Sequence, residues 1–128
     1  MNIKKIVAGS MLSMLMTSEM AAADWGDVYY CQMTNLIGIT LEGEKKNFTL
    51  EKFQFKLDQT KNAMVFGSTG YFGNQVYKIS NGRSYIKFGR EDWHATTALS
   101  STRFEEGKLL YTANVAGITS ISADCDKF

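Results

Sequence analysis

Arg90-Glu91-Asp92-Trp93-His94 is the densest run of reactive side chains in the chain. His94 is the only imidazole, so a triad or a histidine general base has to use it, with Asp92 or Glu91 as orienter and a serine as nucleophile. On a strand, Asp92 and His94 point to the same face. No nucleophile elbow or other positional motif selects a serine, and Arg90-Glu91-Asp92 equally suits an exposed turn after Gly89. The expectation is a protein that is not an enzyme.

Metal and phosphate chemistry find equally little. Structural zinc asks for four Cys or His ligands and catalytic zinc for three, whereas the sequence holds two cysteines and one histidine. Asp24, Asp27, Asp124 and Asp126 could meet around calcium if the termini adjoin, but nothing has EF-hand spacing. Gly67-Ser68-Thr69-Gly70-Tyr71-Phe72-Gly73 superficially resembles a phosphate loop yet lacks the Gly-Lys-Ser/Thr ending. No metal and no cofactor is expected. The glycines around Tyr71 and Phe72 instead either present two rings at a loop edge or turn one inward as a cap. Asn47-Phe48-Thr49 is a glycosylation sequon, which matters only in a eukaryotic secretory pathway.

The elements that position these residues begin after residue 23. Met1 to Lys5 is a short cationic start, Ile6 to Met16 an apolar run, and Ala21-Ala22-Ala23 a small-residue cleavage site, which together read as a secretory signal peptide over 1–23. Spanning a bilayer takes roughly 20 apolar residues, so the shorter run predicts no retained anchor. Export to a periplasmic or extracellular compartment follows, with a single domain over 24–128. The chain carries 14 Lys and Arg against 13 Asp and Glu, and the processed chain 12 of each. That balance offers no field to draw in nucleic acid.

Export delivers Cys31 and Cys125 to an oxidising compartment, where one disulfide is expected. Its Cα atoms must lie within about 7 Å, so the first and last strands run side by side or face to face. Between them, β-branched and aromatic runs recur every 8 to 12 residues or so, the spacing of an antiparallel all-β domain.

Val28 to Leu41 reads as a strand bent near Gly38, and Glu42 to Asn47 as a polar connection. Phe53, Phe55 and Leu57 alternate with polar residues as in a half-buried strand, and Gln59 to Asn62 turns into Ala63 to Gly67. Gln75 to Ser80 and Ser84 to Gly89 read as a hairpin across Asn81-Gly82, with Tyr77 facing Ile86. Ala95 to Glu105 reads as one strand, and Glu106-Gly107 turns into Lys108 to Ala116 with Leu109, Tyr111, Ala113 and Val115 on one side. Ile121, Ala123 and Cys125 share a face of the last strand.

Cys31 in an aromatic-rich early strand, alternating Phe53-Gln54-Phe55, short hairpins and the closing Ile121-Ser122-Ala123-Asp124-Cys125 resemble the small exported β-barrels grouped with calycins, the lipocalin and avidin types. The lipocalin Gly-x-Trp is absent, the order here being Trp25-Gly26. The resemblance implies a barrel and the binding of a ligand or protein. The expected fold is therefore a small antiparallel β-barrel of about eight strands, with a β-sandwich as the alternative. The expected function is non-enzymatic binding of a small apolar ligand in or at the mouth of the barrel. The alternative is a structural or protein-interaction module using exposed aromatics or a strand edge. Trp25, Tyr71, Phe72, Trp93 and His94 are the candidate contacts. Neither the oligomeric state nor the partner is legible.

Overall fold

The computed structural model describes residues 22–79, 85–87 and 90–128, with 85–87 and 90–92 described as backbone alone. Nearly all of the expected signal segment and the Asn81-Gly82 turn lie outside the described residues. Ten strands form, β1 (Val28–Ile39), β2 (Lys45–Asn47), β3 (Lys52–Asp58), β4 (Ala63–Phe66), β5 (Val76–Lys78), β6 (Tyr85–Lys87), β7 (Arg90–Thr96), β8 (Ser100–Glu105), β9 (Lys108–Asn114) and β10 (Ile118–Lys127). No helix occurs among the described residues. The strand order is β5-β4-β3-β1-β10-β9-β8-β7-β6, with β2 beside the end of β1, every ladder is antiparallel, and the sheet curls into a nearly closed barrel. We call the end holding Val28 and Lys127 the base, and the end holding Ile39 and Ile118 the rim.

Period-2 alternation explains which residues fill the barrel. Phe53, Phe55 and Leu57 of β3, Leu109, Tyr111 and Ala113 of β9, and Ile121, Ala123 and Cys125 of β10 are all buried, as the sequence predicts. On β1 the period slips. Tyr29, Cys31 and Met33 face inward, and then Leu36 does. The extra residue is Thr34, because Met33 pairs with Ala123 and Asn35 with Ser122. Ser122 Oγ holds this bulge, accepting from Asn35 Nδ2 at 2.8 Å and lying 2.6 Å from Thr34 Oγ1. The bulge, not Gly38, is where β1 departs from regular pairing; such insertions bend a strand and raise its twist.

Cys31 lies directly across the ladder from Cys125, and the two form a disulfide with a Cα separation of 4.0 Å. The first and last strands are therefore side by side, one of the two arrangements a disulfide allows.

Four local readings are corrected. Lys45–Asn47 of the polar connection is a short strand, pairing with Ile37 to Ile39. Ala95 to Glu105 is two strands, because Thr97 Oγ1 accepts from the backbone N of Leu99 and Ser100 and makes a turn without glycine, proline or asparagine. Val115 leaves β9 for the turn to β10, where Ala116 and Gly117 have positive φ, and its side chain is exposed. Finally, β5 pairs with β4 and β6 with β7, so β5 and β6 stand at opposite ends of the strand order, with no ladder between Tyr77 and Ile86 among the described residues. The Glu106-Gly107 turn is as expected: φ is positive at both residues, and Glu105 pairs with Lys108, the arrangement of a two-residue type I′ hairpin.

Candidate interaction surface

Aromatic rings occupy the barrel from base to rim. At the base, Gly26 N donates to Leu57 O and Leu57 N to Asp27 O, which continues the β1–β3 pairing into the segment before β1. Trp25 then meets the fully buried Trp93 edge-on, with ring centroids 5.0 Å apart. Above them, Tyr29 stacks on Phe55 at 5.4 Å, and both touch Phe104.

At the rim, the β4–β5 loop folds over the opening. Glu51 Oε1 accepts from Tyr71 N at 2.7 Å and sits where a side chain on Gly70, with φ +78, would start. That fixes the loop so that Phe72 turns inward to 0% exposure, stacked on Phe66 at 4.5 Å and edge-on to Phe53 and Tyr111 at 5.0 Å. Tyr71 stays 42% exposed. Of the two uses open to the glycine-rich loop, capping by Phe72 is the one that forms.

The candidate contacts thus separate. Trp25 and Trp93 are together at the base, and Tyr71 and Phe72 together at the rim. Phe72 and Trp93 are core residues, which removes them from the outer surface. His94 is half-buried on the outer side of β7, with Nε2 3.2 Å from Ser101 Oγ across the ladder. The side chains of Glu91 and Asp92 lie outside the described ones. Among the described residues no group of three or more His, Cys, Asp or Glu could hold a metal ion. Asp27 and Asp124 are ion-paired instead, to Lys127 at 3.4 Å and to Lys108, and Asp27 also accepts from Asp24 N at 2.9 Å.

Three phenols gather beneath the rim. The ring centroids of Tyr71 and Tyr77 lie 5.8 and 6.1 Å from that of Tyr111. Burial chiefly, with Tyr111 adding to it for Tyr71 and Tyr77 for Tyr111, pushes the Tyr71 and Tyr111 hydroxyls up to about 12, and burial raises Tyr77 too. Tyr29 is likewise pushed up to about 12, by burial first and then by the Asp27 carboxylate that its hydroxyl reaches at 3.3 Å. These groups stay protonated at physiological pH.

Large apolar side chains cluster at the rim. Seven of the twelve large apolar side chains described as exposed lie around this one end, Ile39, Leu41, Phe48, Tyr71, Leu99, Val115 and Ile118. Scattered exposed hydrophobics are ordinary, whereas a cluster marks a binding surface. Within it, Ile39, Phe48, Val115 and Ile118, together with Lys46 and Thr119, line an open groove of about 130 Å³. A second groove, of about 290 Å³, lies over Arg103, Glu105, Glu106, Lys108 and Leu110 on the outside of the β8–β9 hairpin and is mostly charged.

Phe48, Leu41, Val115 and Lys46 escaped the sequence reading, which placed them in strands, a connection or a sequon. The available signal was a pair of large apolar residues, Leu41 and Phe48, flanking the polar Glu42 to Asn47 segment. No family model, curated protein or solved structure matches the chain.

Proposed function

We propose that this chain is an exported, non-enzymatic binding protein that works as a protein-interaction module, receiving an apolar side chain of its partner in the rim groove. The size of that groove carries the reading. Sites for drug-sized ligands are about 300 to 1,000 Å³, and an apolar cavity of about 150 Å³ takes a benzene. A groove of about 130 Å³ is on the scale of one aromatic or branched aliphatic side chain, the kind of pocket that binding hot spots fill. The aromatic packing between Trp25 and Phe72 supports the same choice, because it occupies the space in which a carrier holds its cargo.

Export rests on the character of residues 1–23, and the Cys31–Cys125 disulfide supports it, since such bonds persist in oxidising compartments. The likeness to calycin-type barrels supports a binding role only by analogy of fold. One observation favours the second reading, a small ligand held at the mouth. Thr119 lines the groove and neighbours the Tyr71 hydroxyl, so a molecule with an apolar body and a hydroxyl or carbonyl head would meet both surfaces.

Site-specific photo-crosslinking in a cell that exports the protein tests the proposal. A photoreactive residue at Val115 on the rim is expected to capture protein, whereas one at the exposed Tyr30 near the base is not. Capture at Tyr30 alone, or none at Val115, overturns it.

A further inference from the structure

Resting on the interaction reading, the geometry points to a second copy of this chain as the occupant of the rim groove, with Leu41 of each copy seated in the groove of the other. The groove asks for an apolar side chain next to a carboxylate, because the cationic Lys46 lines it together with Phe48, Val115 and Ile118. No carboxylate pairs with Lys46 among the described residues. The turn beside the groove offers that pattern. Leu41 is 77% exposed and is followed by Glu42 and Glu44, both exposed.

Knob and hole therefore lie side by side on one end of one molecule. Two-fold interfaces use the same patch on both subunits, so such a patch is complementary to itself. In that pairing, Glu42 and Glu44 of one copy face Lys45 and Lys46 of the other. The two acids and two bases of the segment balance, so the approach meets no net repulsion and a bilayer surface gains no electrostatic draw. Pairing through the β2 edge is disfavoured, since its three residues include two lysines, which blunt edge-to-edge association.

Sedimentation velocity on the protein produced from the full chain, from 1 to about 100 µM, is expected to show a monomer converting to a dimer. Leu41→Asp is expected to remain monomeric throughout with an unchanged circular dichroism spectrum, because Leu41 is exposed in a turn. Charge exchange separates a second copy from any other occupant. Glu42→Lys with Glu44→Lys, and Lys45→Glu with Lys46→Glu, are each expected to weaken self-association at least tenfold, and their equimolar mixture to restore a dimer containing one of each. A monomer at 100 µM overturns the inference, as does self-association of the charge variants as strong as that of the unsubstituted protein, or a monomer that floats with phosphatidylcholine vesicles. A monomer in this experiment together with capture of a different protein at Val115 removes the second copy while leaving the interaction reading in place.

Discussion

The Phe48 ring lies over Gly38 so closely that a Cβ there would stand 2.9 Å from Phe48 Cε2. Glycine on β1 is what lets the ring from the neighbouring segment settle into the groove wall. Gly38→Ala is therefore expected to displace the ring while the fold survives, because the clash is with the far end of a side chain. Stability should change by less than about 1 kcal/mol, and capture by a crosslinker at Val115 should fall severalfold. Unchanged capture would mean that Phe48 does not shape the binding surface.

Phe72 closes the rim from inside. Truncating a fully buried phenylalanine typically costs about 3 to 5 kcal/mol, part of it as the cavity left behind. Phe72→Ala should show that loss in urea unfolding with little change in slope. A loss under about 1 kcal/mol would mean that the β4–β5 loop does not pack into the barrel.

Thr102 is fully buried, and its Oγ1 has no hydrogen-bond partner. An unsatisfied buried hydroxyl costs about 1 to 3 kcal/mol, so Thr102→Val, close to it in shape, should raise the midpoint of thermal unfolding. A lower midpoint would show that the hydroxyl is bonded.

The Cys31–Cys125 bridge spans 94 residues of sequence. In the chain-entropy account a loop of that length contributes about 4 to 5 kcal/mol, mostly by restricting the unfolded chain. Replacing both cysteines with alanine should lower stability by that order in denaturant unfolding. A change below about 1 kcal/mol would contradict the account.

Tyr29, Tyr71 and Tyr111 ionise near 12 in the folded protein against 10 in the unfolded chain. Their folded values are raised, so the stability they contribute is complete below pH 10 and is lost as pH climbs from 10 through 12. Absorbance at 295 nm should show these phenols titrating late, with unfolding setting in across that window. Ionisation of all six tyrosines around pH 10 without unfolding would contradict their burial.

Much of this fold is written in local alternation. Phe53-Gln54-Phe55-Lys56-Leu57 and Leu109 to Ala113 announce their inward faces two residues at a time, and two cysteines leave one pairing. What the sequence hides depends on contacts far apart in the chain or on turns without the usual residues. Thr34 slips the period because Ser122, 88 residues later, receives it. The Thr97 turn borrows a side-chain oxygen within a run that otherwise reads as one strand. Tyr77 pairs back toward β4, so the Asn81-Gly82 signal did not predict its ladder partner. The rim surface was illegible for the same reason, since Leu41, Phe48 and Val115 are separate in sequence and become one patch only when β1, β2 and the β9–β10 turn converge.

Native mass spectrometry of the protein isolated from its own host, followed by denatured intact mass of the same sample, tests the central claim of a filled barrel that binds protein through its rim. The account predicts association with protein, lost in Leu41→Asp, and no small molecule released on denaturation. A monomer carrying a small adduct that denaturation releases would contradict it and make the chain a carrier.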